Sequence, residues 1–139
     1  MGLDMYLYGA TWKFNEETRK VKITLDEVAY WRKQNAIHNW IVENVQDGID
    51  NCAMYYLDER HLKKLLLACR QVLEKPTVEN AMKILPTKEG FFFGGTDLTD
   101  NFEFKYYLDG LKYTVKTIRD LLENGYEYYY YTSSWWSNV

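Results

Sequence analysis

Cysteine and histidine are scarce in this chain, and their scarcity excludes whole classes of site. Among 139 residues only Cys52 and Cys69 are cysteines, and they form no close pair. A disulfide scaffold needs more of them at short spacing, so we interpret both as reduced thiols in a cytoplasm. His38 and His61 each lack a second His or Cys at ligand spacing. We therefore expect no metal site and no cofactor.

The chain also lacks an excess of positive charge and a long apolar run. Its formal net charge is −3 with both signs interspersed, whereas binding to nucleic-acid phosphates requires a basic patch. No apolar stretch approaches the length of a membrane span, and residues 1–4 do not begin a signal peptide. We expect a cytoplasmic protein with no membrane association and no direct nucleic-acid binding.

Aromatic residues, by contrast, are abundant: there are 13 Tyr, 5 Trp and 6 Phe. Tyr and Trp join a large apolar area to a polar group, and so serve both in cores and at interfaces. A tyrosine-rich sheet and core explains most of them. The tail is too aromatic for one small domain to bury, so we predict a homo-oligomer, most simply a two-fold dimer. The tail residues concerned are Tyr128, Tyr129, Tyr130, Tyr131, Trp135 and Trp136.

Periodicity predicts strands at both ends of the chain and helices between them. Residues 3–8 and 20–25 alternate in polarity around a turn, which predicts a hairpin, and 126–131 predicts a last strand. The first predicted helix spans 26–45, with Thr24 or Asp26 as its cap and Gly48 as the left-handed residue at its C-terminal end. Asp58 caps a second helix that Pro76 ends, Thr77 caps a third that ends before Pro86, and Asp100 caps a fourth that ends at Asn124, with Glu103 at the spacing of a capping box. A short strand at 51–57 is left open. One α+β domain over residues 1–139 follows, with an antiparallel or mixed sheet and about four helices mainly on one face.

The predicted helix 26–45 carries polar side chains beside its apolar face. At about 100° per residue, Gln34 falls inside the apolar arc, while Trp31, Asn35 and His38 follow its edge. Such a strip is either a hydrogen-bonded network in the core or one wall of a pocket. The sequence leaves both interpretations open.

The segment 91–97 places three phenylalanines before two glycines, a threonine and an aspartate. Glycine allows a partner to approach the backbone closely, so Phe93, Thr96 and Asp97 could offer stacking and hydrogen bonds to a small planar ligand. The alternative is a buried strand followed by a tight turn. The segment has neither a Walker lysine nor G-x-G-x-x-G spacing, so it is no recognised phosphate-binding motif.

Signatures of nucleophilic catalysis are missing. The chain has no G-x-S-x-G motif, and neither cysteine has a recognisable motif partner. His38 could act as a general base if a carboxylate such as Asp4 or Asp97 lay within hydrogen-bond reach. A lone histidine on a helix flank is more often a packed residue, so catalysis is the second hypothesis.

Most of the chain resembles a family of small uncharacterised proteins encoded by bacteriophages and prophages. The resemblance is carried by Met1-Gly2-Leu3-Asp4-Met5-Tyr6-Leu7-Tyr8, by Tyr30-Trp31-Arg32-Lys33-Gln34-Asn35-Ala36-Ile37-His38-Asn39-Trp40, and by Leu85-Pro86-Thr87-Lys88-Glu89-Gly90-Phe91-Phe92-Phe93-Gly94-Gly95-Thr96-Asp97. Where that family typically has Ala and Ser, this chain has Gln34 and Gly95.

The resemblance implies a viral accessory protein and brings no established chemistry with it. Small phage accessory proteins often act on host components, including defence systems, and this argument is an analogy. We therefore expect a non-catalytic binding protein, located in the host cytoplasm, that captures a small ligand or a host protein and inhibits an antiviral defence. The expected binding residues are Trp31, Gln34, Asn35, His38, Phe93, Thr96 and Asp97. The alternative is a small enzyme that acts on a nucleotide or related metabolite with His38 as its acid or base.

Overall fold

The computed structural model describes residues 2–89 and 94–136, except for the side chain of Trp136. The elements in these ranges are β1 (Gly2–Asn15), β2 (Lys20–Arg32), α1 (Asn35–Val45), β3 (Tyr55–Leu57), α2 (Glu59–Glu74), α3 (Val78–Ile84), α4 (Asn101–Glu123) and β4 (Tyr128–Trp136). None of these helices combines the length and the apolar character that crossing a bilayer requires.

The described strands form one antiparallel sheet in the order β2-β1-β4-β3. Strand β4 pairs with β1 from Gly2↔Trp136 to Ala10↔Tyr128, so both ends of the chain lie in the middle of the sheet. Since β4 stops opposite Ala10, the distal parts of β1 and β2 continue beyond it as a two-stranded hairpin. The prediction of an α+β fold whose first hairpin and last strand share a sheet is confirmed.

Alternation along β1 decides which face of the sheet is buried. Leu3, Met5 and Leu7 are at most 2% exposed, while the residues between them are only half-buried. The buried side chains join a hydrophobic cluster with helical residues such as Leu62 of α2 and Leu111 of α4. Each leucine buried there contributes roughly 1.5–3 kcal/mol. The helices therefore cover mainly one face of the sheet, as predicted.

The prediction of a helix over residues 26–45 is wrong for its first third. There the chain continues as β2 to Arg32. Ala29 and Trp31 are buried while Tyr30 between them is exposed, which is the two-residue period of a strand. The period of a helix fits these residues too, because large apolar side chains follow one another so closely here that both a helix and a strand would bury some of them.

Helix α1 begins at Asn35, so neither Thr24 nor Asp26 can cap it. The N-cap position is occupied by Gln34, whose side chain makes no capping hydrogen bond. At the other end of α1, Gly48 adopts a φ of 78° and supplies the left-handed conformation that the sequence predicted.

The predicted caps of the other helices are confirmed. The side chains of Asp58, Thr77 and Asp100 each accept a hydrogen bond from a backbone N–H in the first turn of α2, α3 and α4, respectively. These bonds satisfy N–H groups that have no partner within a helix. The short strand that the sequence left open is also present, as β3.

Candidate functional site

Trp31 belongs to the core rather than to a pocket wall. Its side chain is 4% exposed, and its indole N–H donates to Thr114 Oγ1 of α4 at 2.8 Å. The Thr114 hydroxyl donates in turn to the carbonyl oxygen of Gly110 at 2.7 Å. These bonds fasten β2 to α4 and use the only donor of the Trp31 side chain.

Gln34 occupies a close contact between the start of α1 and α4. Its side-chain amide donates to the carbonyl oxygen of Tyr106 at 3.2 Å. At Gly110, an ideal Cβ would lie 2.2 Å from Gln34 Cδ. The absence of a side chain at Gly110 is therefore what admits Gln34, which acts here as a packing residue.

Asn35 contacts Gly94, which belongs to the segment 91–97. Its Nδ2 donates to the carbonyl oxygen of Gly94 at 3.0 Å. The residue is 2% exposed, and Oδ1 has no hydrogen-bond partner among the residues that the structure describes. Leaving a buried acceptor unpaired costs about 1–3 kcal/mol, so Asn35 is a polar group of the loop contact rather than ordinary core.

His38 lies in a hydrogen-bonded chain that runs from the buried Tyr131 to Asp50, whose side chain is 32% exposed. Its Nδ1 is 2.7 Å from Tyr131 Oη, and its Nε2 is 3.0 Å from Asp50 Oδ1. An ionised carboxylate only accepts hydrogen bonds. We therefore place the ring hydrogen on Nε2, which leaves Nδ1 to accept from the tyrosine hydroxyl.

The carboxylate in this chain is Asp50, and not Asp4 or Asp97, which the sequence suggested. Burial raises its pKa, but hydrogen bonds from His38 and Trp135 outweigh burial, so the pKa of Asp50 lies below its usual value. Burial also raises the pKa of Tyr131 well above its usual value. An ionised Asp50 beside a neutral tyrosine keeps the His38 ring fixed in orientation.

Neither Thr96 nor Asp97 has a hydrogen bond to His38. The carbonyl oxygen of Thr96 accepts from Thr87 Oγ1 at 3.3 Å. Asp97 is exposed, and its carboxylate accepts from the hydroxyl of Thr99 at 2.6 Å. The predicted Phe93 lies outside the described residues. Among the described residues of the predicted set, Asn35 has a hydrogen bond to the segment 91–97, through the carbonyl oxygen of Gly94.

A cleft of about 260 Å³ lies between the end of β2 and the first turns of α4. Its lining residues are Arg32, Lys33, Thr96, Phe102, Glu103 and Tyr106. One wall thus comes from the segment just before α1 and another from the loop before α4. Of the predicted binding residues that the structure describes, only Thr96 lines this cleft.

Positive charge dominates the cleft. Across residues 2–89 and 94–136, no carboxylate oxygen lies within 4.0 Å of the Arg32 guanidinium or the Lys33 ammonium group. The one acidic residue of the lining is Glu103, and its Oε2 accepts from the backbone N–H of Asp97 at 2.9 Å. The sequence predicted that Glu103 would reach back to Asp100 as part of a capping box, and that prediction is wrong.

The walls of the cleft are held together by hydrogen bonds. The Tyr106 hydroxyl donates to the carbonyl oxygen of Arg32, which joins α4 to the end of β2. Glu103 and Thr87 hold the loop from two sides through Asp97 and Thr96. A cleft that is braced in this way loses little conformational freedom when a ligand binds.

Sequence reasoning missed Arg32, Lys33, Phe102 and Tyr106. A signal for the two rings was present, because Phe102 and Tyr106 are four residues apart and share one side of a helix. Phe102 is 81% exposed, so this pair is distinct from the buried face of α4. The two cations carried no such signal, since nothing in the sequence places them beside α4.

The described part of the chain offers no recognisable site for a metal ion. Within it, no group of three His, Cys, Asp or Glu side chains is arranged to hold a metal ion. Comparison of the whole chain with models of protein families, with curated proteins and with solved structures finds no match.

Proposed function

We propose that this protein is a non-catalytic binding protein of phage origin that captures a small aromatic anion in the cleft between β2 and α4. By removing that molecule, it inhibits a host antiviral defence. Mononucleotides are one cellular class of ligand with this chemistry. The observation that carries the proposal is the presence of two cations, with no ion-pair partner among residues 2–89 and 94–136, beside two accessible rings.

The cations support an anionic ligand. A guanidinium group can bind a phosphate or carboxylate through two parallel hydrogen bonds, and an ammonium group adds a compact positive charge. Arg32 and Lys33 are adjacent in the chain and line the same cleft. Because the lining contains two cations and one carboxylate, Glu103, its net charge is positive and attracts an entering anion.

The rings support a planar ligand. Phe102 is 81% exposed and Tyr106 is 43% exposed, although both lie next to the cleft. Stacking of a nucleobase on an aromatic side chain is worth about 1–3 kcal/mol. The volume of about 260 Å³ is small for a binding pocket, which favours a ligand of one or two rings.

The burial of His38 supports binding without catalysis. His38 is 2% exposed and Tyr131 is fully buried, so neither side chain lies in the cleft. The chain Asp50–His38–Tyr131 is the observation that keeps the enzyme hypothesis as a second candidate, because a carboxylate that orients a histidine is typical of general bases. A substrate would need access to His38 for that hypothesis to hold.

The phage origin in this proposal rests on the resemblance of the opening and of the Tyr30–Trp40 segment to proteins encoded by bacteriophages. That segment contains Arg32 and Lys33. The proposal therefore assigns a binding role to residues that lie within the resembling stretch.

Calorimetric titration of the purified protein tests the proposal. The probes are the four common nucleoside monophosphates, phenyl phosphate, a neutral nucleoside and inorganic phosphate. We expect binding of at least one aromatic anion, weaker binding at high salt because the cations are exposed, and little binding of the nucleoside or of phosphate alone. Arg32→Gln/Lys33→Gln should weaken binding tenfold or more, and Phe102→Ala roughly 5- to 150-fold, the equivalent of about 1–3 kcal/mol for one stacked base.

The matched control is Lys112→Ala/Lys116→Ala, which removes the same charge from α4 outside the cleft. It should bind as the wild-type protein does. The proposal is wrong if none of the aromatic anions binds, or if the control loses as much affinity as the cleft variants. Chromatography of the nucleotides after incubation decides between the two candidates, since turnover that is lost in His38→Ala would establish the enzyme.

A further inference from the structure

The hairpin that projects beyond β4 has one apolar face that the described part of the chain leaves uncovered. In the pairing of β1 with β2, Trp12 lies opposite Ile23 and Phe14 lies opposite Val21. Residues directly opposite each other in an antiparallel pair point to the same side of the sheet. We call this set, together with Leu25 opposite Ala10, the hairpin face.

Every large side chain of the hairpin face is strongly exposed. The exposed fractions are 50% for Trp12, 55% for Phe14, 52% for Val21, 46% for Ile23 and 39% for Leu25. Single exposed apolar residues are ordinary, but a contiguous group of them marks an interaction surface.

The hairpin face continues onto the main sheet. The ring centroids of Trp12 and Tyr128 are 5.8 Å apart, and those of Tyr128 and Tyr56 are 5.9 Å apart. Tyr56 and Tyr128 are 47% and 37% exposed. With these rings the apolar area reaches several hundred Å², comparable to the half of a standard interface contributed by one partner, about 800 Å².

The opposite side of the hairpin has different chemistry. Lys13 lies opposite Lys22 there, and Lys20 lies opposite Asn15. Two like charges placed directly across a strand pair repel each other, and two copies that met through this side would double that repulsion. The hairpin face carries no charge at its six positions, so two copies can meet through it without bringing like charges together.

We infer that the hairpin face binds the same face of a second copy of this chain and forms a two-fold dimer. In a two-fold contact each surface must be complementary to itself, and an uncharged apolar face meets its own copy without repulsion. Two such faces pack at about 10 Å, as the two sheets of a sandwich do. None of the residues that line the cleft lies in this contact, so the inference does not depend on the proposed function.

The edge of β2 is already occupied at its C-terminal end. Near the end of β2, the backbone N–H of Tyr30 donates to the Tyr113 hydroxyl at 3.2 Å, and the carbonyl oxygen of Arg32 accepts from the Tyr106 hydroxyl. Side chains of α4 therefore occupy that part of the edge and oppose the addition of another strand there.

Light scattering coupled to gel filtration tests the inference on the full chain. At tens of micromolar, the wild-type protein should have twice the chain mass of 16.7 kDa. Phe14→Thr/Ile23→Thr should weaken the dimer at least tenfold and move the mass toward that of the monomer. Threonine is β-branched and favours strands, so the hairpin itself should persist, which circular dichroism checks.

The matched control is Lys13→Thr/Lys22→Thr, which makes the same replacement at neighbouring positions on the charged side of the same strands. It should remain a dimer. A monomeric wild-type protein, a dimeric Phe14→Thr/Ile23→Thr protein, or a control that dissociates would each overturn the inference. If the double variant fails to fold, the single variant Ile23→Thr, whose side chain is closest in shape to the original, is judged by the same masses.

Discussion

At the scale of single residues, the contact between Gln34 and Gly110 shows how closely α1 and α4 are fitted. Glycine inside a helix is ordinarily about 1 kcal/mol less favourable than alanine, so its presence in the middle of α4 needs a reason. The reason is the Gln34 side chain, which would lie 2.2 Å from an added Cβ.

This contact predicts that alanine at position 110 destabilises the protein, whereas helix propensity alone predicts that it stabilises the protein. Gly110→Ala should destabilise the protein by about 1–3 kcal/mol, the usual cost of overpacking, as measured by urea denaturation. In Gln34→Ala/Gly110→Ala the obstruction is gone, and the second alanine should then stabilise relative to Gln34→Ala alone. A more stable Gly110→Ala protein would contradict the contact.

Sequence reasoning at this scale identified polar residues but not their partners. Gln34 and His38 were recognised as unusual for an apolar helix face, and both are hydrogen-bonded in the interior. Their partners Tyr106 and Tyr131 lie 72 and 93 residues away. Period and spacing describe only one element at a time, and so contain no information about such distant pairs.

At the scale of elements, helix caps were predictable because a cap involves only residues two or three positions apart in the sequence. Asp58 illustrates this for α2. Its carboxylate accepts from the backbone N–H and the guanidinium of Arg60, and its own N–H donates to His61 Nδ1. The hydrogen bonds from Arg60 chiefly lower the pKa of Asp58 from 3.8 to about 2.

The cap predicts a dependence of stability on pH. A carboxyl group whose pKa is lower in the folded state stabilises the protein above its unfolded pKa, and this stabilisation disappears as the pH falls through the folded value. Asp58→Ala should therefore cost about 0.5–2 kcal/mol at neutral pH, and the difference should shrink between about pH 4 and 2. Urea denaturation across this range measures it.

Asp58→Asn is the control for this prediction, because an amide oxygen can still cap α2 but does not titrate. Its stability relative to Asp58→Ala should stay nearly constant with pH. A wild-type advantage over Asp58→Ala that is undiminished at pH 2 would show that the carboxylate charge is not involved.

The boundary between β2 and α1 was the element that sequence reasoning placed wrongly. Between Val28 and Arg32 the alternation of a strand and the period of a helix select overlapping residues. What decides the outcome is pairing with β1, where Tyr6 lies opposite Tyr30 and Met5 opposite Trp31. That pairing is a property of the sheet and not of the segment.

At the scale of the whole molecule, the α+β class followed from strands at the two ends and strong apolar faces on the helices. The cleft did not follow, because it exists only where the end of β2 meets the beginning of α4. The aromatic tail is buried only in part, since Tyr128 is 37% exposed. Tyr129 and Tyr131 are buried in the core, and much of the exposed apolar surface lies on the hairpin instead. Homo-oligomer formation stays a prediction, now assigned to the hairpin face.

Capture of a small aromatic anion is the central claim, and the molecules carried by the protein from infected cells test it most directly. The protein would be purified from those cells, denatured, and the released compounds identified by mass spectrometry. The account predicts an aromatic anion in near-equal molar amount to the wild-type protein, and much less from Arg32→Gln/Lys33→Gln prepared in parallel. Release of no such compound, or of equal amounts from both proteins, would contradict it.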